Sequence, residues 1–273
     1  MKINLEPTLI ELGGKAYQLC RLMQYVNVPP FFVISFKNPQ EINQSAVQQA
    51  VLKECKARNF NLMAVRSSAL CEDSLKTSFA GMFKTVLCVK PSKLIDAIAK
   101  VLNSVLSERV AFYCETHGVD QKAIKMAVIV QKMIYSRVSG VCFTRLKKGM
   151  SSLLIEACYG LGETLVSGKV TPDSYVVDRK SLSVVRENIG YQKVMLNIVN
   201  ANAKELAYEE IPFHKRNARK LTHDEIKKIA KTCLKIEQCL RFDAVDVEWA
   251  LEGNILYILQ ARPICWFNRL IVR

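Results

Sequence analysis

The sequence has neither a long apolar run nor a recognisable signal-peptide core. No apolar run in its 273 residues approaches the roughly 20 residues of a membrane-spanning helix. The stretch 1–7 has no apolar signal-peptide core, and Glu11 interrupts the residues that follow. The ten cysteines are scattered singly without a CxxC pair, which favours buried thiols over disulfides or a zinc site. We therefore expect a cytoplasmic protein.

Acidic residues are scarce relative to basic ones. The chain has 25 Asp and Glu against 39 Lys and Arg, a formal net charge of +14. Such a charge suits a binder of nucleic acid, of a membrane surface, of polyphosphates or of an acidic partner. The densest basic run, residues 214–220, has no interleaved aromatic residues on which single-stranded bases would stack. A solvated loop is therefore the favoured interpretation of this run, and an acidic partner stays open.

Strands and helices alternate along the chain, which indicates an α+β or α/β build. One helix is expected from Gly13, a single long helix from Ser92 to about Glu115, and another at 222–240 behind a Thr222-x-x-Glu225 capping box. The expected strands are 31–36, 62–65, 85–89, 126–133, 138–144, 153–157 and 175–178, with a hairpin at 246–263.

The hairpin is the most informative stretch of the sequence. Apolar and polar residues alternate on both sides of Glu252-Gly253-Asn254, which reads as a three-residue loop. This loop predicts a register that places Leu251 opposite Ile255, Glu248 opposite Ile258 and Asp246 opposite Gln260. A two-residue loop would shift that register by one and break the polar cluster.

Four polar side chains would share one face of this hairpin, because strand side chains alternate between two faces. They are Asp246, Glu248, Gln260 and Arg262. Hard oxygens bind Mg²⁺ and a guanidinium grips phosphate, so the set suits a Mg-nucleotide site. The alternative is an exposed ion pair between Arg262 and Asp246 of small energetic value.

Two earlier segments carry weaker signals for phosphate. Gly13-Gly14-Lys15 opens a helix, where backbone N–H groups attract anions, but it does not match the P-loop pattern. Arg66 ends a strand and precedes two serines, where it would either contact a phosphate or cap the loop. The turn at 160–162 is glycine-rich, which a need for positive φ explains equally well.

Together these segments resemble the ATP-binding domain of the phosphoenolpyruvate synthase and pyruvate phosphate dikinase family, a domain that rifampin phosphotransferases share. The resemblance covers roughly residues 10–265. Its motifs, in order, are 13–15, 65–68, 72–73, 78–81, 130–133, 138–144, 156, 160–163, 166–168, 171–173, 246–249 and 259–263.

The resemblance implies a two-lobed ATP-grasp fold of the α+β class, with ATP and Mg²⁺ between the lobes. The lobes are expected at 1–125 and 126–265, followed by a tail at 266–273. In the family, the domain cleaves ATP to AMP. The β-phosphate passes to a histidine on a separate swivelling domain, and the γ-phosphate passes to water or phosphate.

Carried over to matching positions, the resemblance assigns nucleotide contacts across the first half of the chain. Lys15 and Arg66 would contact the phosphates and take part in catalysis. Gly81 and Thr85 would belong to a lid over the nucleotide. Gln131 would lie near the adenine.

The resemblance assigns the remaining contacts to the hairpin. Glu248 and Gln260, with Asp246 as a further candidate, would bind Mg²⁺. Arg262 would bind the phosphoryl group in transfer and act as a catalytic residue.

A phospho-accepting histidine in a glycine-rich segment is not found among the three histidines, His117, His214 and His223. The expected function is therefore an ATP-dependent phosphotransferase subunit that stands alone. It would transfer a phosphoryl group to a histidine on a separate partner or to a small molecule, releasing AMP and phosphate. Membrane and nucleic acid are not expected as partners. The alternatives are a nucleotide-binding regulatory module and an ATP-grasp ligase.

Overall fold

The computed structural model describes residues 9–69, 79, 81–199 and 205–264, which form two compact units. The first contains the described residues up to Tyr17 and Pro30–Met133; the second contains Gln18–Pro29 and the described residues from Ile134. The predicted lobe boundary at 125/126 differs from this division, because the strand at 126–132 completes the sheet of the first unit. The predicted tail at 266–273 lies outside the described residues.

The first unit is built on a four-stranded antiparallel sheet of order β1-β4-β2-β3. Its strands are β1 (Phe31–Ser35), β2 (Met63–Ala69), β3 (Thr85–Val89) and β4 (Met126–Lys132). Its helices are α1 (Leu9–Leu22), which continues into the second unit, α2 (Ser45–Ala57), α3 (Leu94–Asn103) and α4 (Glu108–His117).

The core of this unit forms on one face of the sheet. Leu94, Ile98 and Val101 recur at helical spacing on α3 and are fully buried against alternate strand residues such as Val65 and Val128. The other sheet face carries the polar residues Arg66, Ser68 and Gln131 together with apolar residues such as Ile129.

The single helix predicted from Ser92 to about Glu115 is wrong. A 3₁₀ turn at Pro91–Lys93 precedes α3, and Ser104–Leu106 separates α3 from α4. At the interruption, the Ser104 hydroxyl donates to the Val101 carbonyl and accepts from the Lys84 N–H, which comes from the segment before β3. Ser107 then takes an extended conformation before α4.

The second unit is built on a six-stranded antiparallel sheet of order β12-β11-β5-β6-β7-β8 and a two-stranded sheet of β9 and β10. Its helices are α5 (Glu163–Val166) and α6 (His223–Leu240). Its strands are β5 (Val138–Phe143), β6 (Ser152–Tyr159), β7 (Asp173–Asp178), β8 (Val184–Asn188), β9 (Val194–Val199), β10 (Glu205–Glu210), β11 (Val245–Glu252) and β12 (Ile255–Pro263).

Helix α6 forms the core of this unit against one face of the large sheet. The predicted capping box is confirmed: the Thr222 side chain accepts from the Glu225 N–H, and the Glu225 carboxylate accepts from the Thr222 N–H. Trp249 is fully buried beneath α6, opposite Gly140 of β5. A Cβ on Gly140 would overlap the Trp249 ring and the Glu156 carbonyl, so this glycine makes room for the indole.

The α+β class is confirmed, as are the strands predicted from 31 to 178, with ends that differ by a few residues. The strands β8 and β10 were not predicted, because their largely exposed residues lack a clear apolar alternation. The strand β9 was also not predicted, although its residues are mostly apolar and half-buried. No helix within the described ranges has both the length and the apolarity to span a membrane. The cysteines in these ranges are free thiols.

Candidate functional site

The closing hairpin exists, but its predicted register is wrong. Glu252 pairs with Ile255, so the loop is the two-residue turn Gly253-Asn254, with Gly253 at a φ of 55°. With this turn and no other irregularity, the polar residues of β12 would lie on the sheet face opposite to those of β11. A β-bulge at Leu259 corrects the shift, because Trp249 pairs with Ile258 while its neighbour Glu248 pairs with Gln260.

The bulge leaves two polar pairs side by side on one face of the sheet. Gln260 Nε2 lies 3.4 Å from Glu248 Oε1. Arg262 donates through Nε and Nη2 to Asp246 Oδ2 at 3.1 and 2.8 Å. Asp246 and Gln260 are each 6% exposed, so the predicted ion pair is largely shielded from water rather than being an exposed surface pair.

A third acidic residue shares this face, and its role was not assigned from the sequence. Val141 of β5 pairs with both Glu248 and Glu156, so the two carboxylates lie in one row of the sheet, two strands or about 10 Å apart. Glu156 is 6% exposed. A sequence signal was available, because a glutamate interrupts the otherwise apolar strand 153–158.

The opposite face of the hairpin is apolar. Val245, Val247 and Trp249 are fully buried there. Burial, with smaller contributions from Cys233, raises the pKa of the Cys142 thiol well above its usual range. The charged groups of the hairpin are therefore confined to the face that carries Glu248.

The glycine-rich segment of the first unit is anchored to the end of β2. Gly13 has φ 71° and ψ 170°, so it interrupts α1, and the helix resumes after it, as predicted. The Ser68 hydroxyl accepts from the Ala16 N–H at 3.0 Å and donates to the Leu12 carbonyl at 2.6 Å. Lys15 Nζ lies 3.4 Å from the Ser67 hydroxyl. Ser68 thus caps a helix from another element.

Three predicted nucleotide contacts share one face of the first sheet. Arg66 of β2 pairs with Thr85 of β3 and with Ile129 of β4. Gln131 lies two residues along β4, hence on the same face. The Gln131 side chain is 1% exposed, and its Nε2 has no hydrogen-bond acceptor in the described structure. A buried donor of this kind favours binding of a polar group.

The predicted lid is described only in part. Gly81 is exposed with a φ of 72° and has nothing near its missing Cβ, and Thr85 is exposed at the start of β3. The motif residues at 72–73, 78 and 80 lie outside the described residues.

The hairpin carries oxygen atoms that could serve as ligands of a Mg²⁺ ion. Within the described ranges, no three His, Cys, Asp or Glu side chains are grouped to hold a metal. A carboxylate oxygen of Glu248 and the amide oxygen of Gln260 provide two hard ligands, which fits Mg²⁺ since it keeps waters and substrate phosphates as its other ligands. The Gln260 amide would have to turn its oxygen toward the ion. Asp246 Oδ2 is already occupied by Arg262.

The family model of the pyruvate phosphate dikinase AMP/ATP-binding domain matches residues 37–269. A probable phosphoenolpyruvate synthase of Methanocaldococcus jannaschii is 38% identical over 205 residues, which is 74% of this chain and 17% of that protein. One of Archaeoglobus fulgidus is 39% identical over 204 residues, again 74% of this chain and 27% of that protein.

Other similar proteins have different descriptions. The prodigiosin synthesizing transferase PigC of Serratia marcescens is 30% identical across 96% of this chain and 32% of its own length. This chain therefore spans less than a third of these curated relatives. Among solved structures, a D-alanine–D-alanine ligase from Helicobacter pylori is 10% identical, with 94% of this chain and 54% of that chain covered and a TM-score of 0.43.

Proposed function

Since the chain belongs to the family of the pyruvate phosphate dikinase AMP/ATP-binding domain, we propose that it binds Mg-ATP and transfers a phosphoryl group. The acceptor is a histidine on a separate partner or a small molecule, and the products are AMP and phosphate. The observation that carries the proposal is the hairpin face, where the Glu248–Gln260 and Asp246–Arg262 pairs lie next to each other.

The hairpin supplies the groups that phosphoryl transfer requires. Glu248 and Gln260 bind the magnesium ion, with Asp246 as a further candidate ligand. When bound, that ion supplies positive charge against the phosphate oxygens. Arg262 binds the phosphoryl group in transfer and neutralises the charge that develops on it. Two nitrogens of the Arg262 guanidinium donate to Asp246, which fixes the plane of the guanidinium. Binding of the phosphoryl group therefore costs less side-chain entropy.

The first unit supplies nucleotide contacts. Lys15 and Arg66 bind phosphate oxygens. The hydrogen bonds of Ser68 anchor the helix that carries Lys15 to β2, the strand that carries Arg66, so the relative position of the two cationic residues is fixed. Gln131 binds the adenine, which would satisfy its buried amide donor. Gly81 and Thr85 lie over the nucleotide as part of a lid. The family and the position of each residue support these roles, and for Gln131 its burial does so as well.

The acceptor is proposed to be outside this chain. His117, His214 and His223 are exposed, and His117 and His223 are held by local contacts at helix ends. None lies on the polar face of either sheet. The net charge of +14 suits an acidic partner protein.

The proposal is tested by incubating the chain with Mg-ATP, with and without a protein that carries an acceptor histidine, and measuring AMP, ADP and phosphate. AMP and phosphate are expected. ADP would indicate a ligase or simple kinase instead. Tight binding of Mg-ATP without turnover in any pairing would indicate a regulatory module. An absence of nucleotide binding would refute all three.

Two substitutions test the site itself. Glu248→Gln and Arg262→Ala are each expected to lower turnover by about 10²–10³, which is typical for removal of a charge-stabilising contact in a transition state. Glu205→Gln and Arg186→Ala change exposed residues of the same unit and serve as matched controls. Normal turnover by either site variant would show that the hairpin face is not the site.

A further inference from the structure

Leu259 is an extra residue in the hairpin. The strand β11 places no residue opposite it, since Trp249 pairs with Ile258 and Glu248 with Gln260. The other ladder of β11, with β5, runs through Glu248 and Trp249 without a shift. The irregularity is thus confined to β12, the edge strand of the sheet.

The bulge coincides with a change of spacing in the buried residues of β12. Leu256, Ile258 and Ala261 all pack into the same core, although the first two are two residues apart and the last two are three apart. Leu259 itself is half-buried and outside that core cluster. The extra residue is therefore not there to fill the core.

The bulge is not needed merely to put the polar residues on their face. A hairpin without Leu259 would keep the two-residue turn, would still pair Glu248 with Gln260 and Asp246 with Arg262, and would bury the same apolar residues at regular spacing. What a bulge adds is a local bend and a stronger twist, placed here immediately before Gln260.

We propose that Leu259 is a positioning residue whose insertion as a bulge aims the Gln260 amide and the Arg262 guanidinium at the bound cation and phosphates. The regular β11–β5 ladder aims Glu248 and Asp246, and the bulge aims their partners on β12. The backbone carries this role, because the Leu259 side chain contributes nothing to the core cluster. The inference rests on the proposed binding of Mg-ATP.

The test compares deletion of Leu259 with Leu259→Ala. The deletion removes the bulge and keeps every cross-strand pair, whereas the alanine variant keeps the bulge and loses only the side chain. The probe is Mn²⁺ with ATP, followed by the electron paramagnetic resonance signal of the bound ion and by calorimetry. Urea unfolding followed by circular dichroism reports the fold of each variant independently.

The deletion is expected to bind Mn²⁺–ATP about 10- to 100-fold more weakly, as when the groups that orient metal ligands are removed. Its spectrum should show an altered ligand geometry and its unfolding midpoint should not fall. Leu259→Ala should resemble the unaltered chain. Equal binding by the deletion variant and the unaltered chain would overturn the proposal, as would an equal loss in both variants.

If the deletion variant does not fold, Leu259→Gly replaces it, because glycine keeps the residue count but loosens the backbone of the bulge. Weaker Mn²⁺–ATP binding by Leu259→Gly than by Leu259→Ala would support the proposal, and equal binding would overturn it. An unaltered chain that binds no Mn²⁺–ATP would refute the proposed function as well, whereas tight binding by every variant would refute the positioning role alone.

Discussion

Substitution of Asp173 is expected to destabilise the second unit more than any surface change. The Asp173 carboxylate and the Lys220 ammonium are both 0% exposed and lie 2.6 Å apart. Asp173 also accepts from the Tyr175 hydroxyl, the Gly190 N–H and the Lys220 N–H at 2.6, 3.0 and 2.9 Å. The pair therefore ties β7 to the two segments that precede α6.

The expected loss of stability depends on which buried charged group remains after each substitution. Asp173→Asn leaves the buried Lys220 ammonium without its counter-charge, and the loss expected from breaking a buried pair is about 3–5 kcal/mol. Lys220→Met leaves a carboxylate that still accepts three hydrogen bonds, so a smaller loss of about 1–3 kcal/mol is expected. The double variant should recover part of the first loss, because neither charge remains.

The assay is urea unfolding at pH 7, followed by circular dichroism and tryptophan fluorescence. Glu210→Gln is the control, because it removes the ion pair of Arg216 with a carboxylate that is 73% exposed and should cost at most about 1 kcal/mol. An Asp173→Asn loss no larger than that of the control would refute the reasoning, as would a double variant less stable than Asp173→Asn.

Two further predictions concern a glycine and a pH dependence. Gly13→Ala should lower the unfolding midpoint more than Gly118→Ala. Both glycines have positive φ, but only at Gly13 would a Cβ overlap a backbone atom, the Ser68 carbonyl oxygen. Equal losses in the two variants would contradict this prediction. Burial first, and then the hydrogen bond and charge of Asp173, raise the pKa of Tyr175. The unfolded chain releases that proton from about pH 10 while the folded chain keeps it, so the stability it confers is present below pH 10 and lost as pH rises further. Tyr175→Phe should flatten the decline in urea midpoint between about pH 9 and 11, and an unchanged slope would count against this assignment.

Much of the fold follows from local patterns in the chain. The capping box at Thr222 predicts the start of α6, and apolar spacing predicts α3 and most strands, because these signals act over a single turn or a few alternating residues. The break at Ser104 escapes such patterns. It depends on the Lys84 N–H, which comes from a different part of the chain.

The sequence by itself determined which residues are candidates for the site: two carboxylates, an amide and a guanidinium at alternate positions of one hairpin. Only the tertiary structure decided how they meet. Turn length and bulge are set by packing of Leu256, Ile258 and Ala261 into a core that distant segments complete. A turn one residue too long and a missed bulge together displaced the predicted pairing by two residues, which leaves each side chain on its predicted face because strand side chains alternate with a period of two.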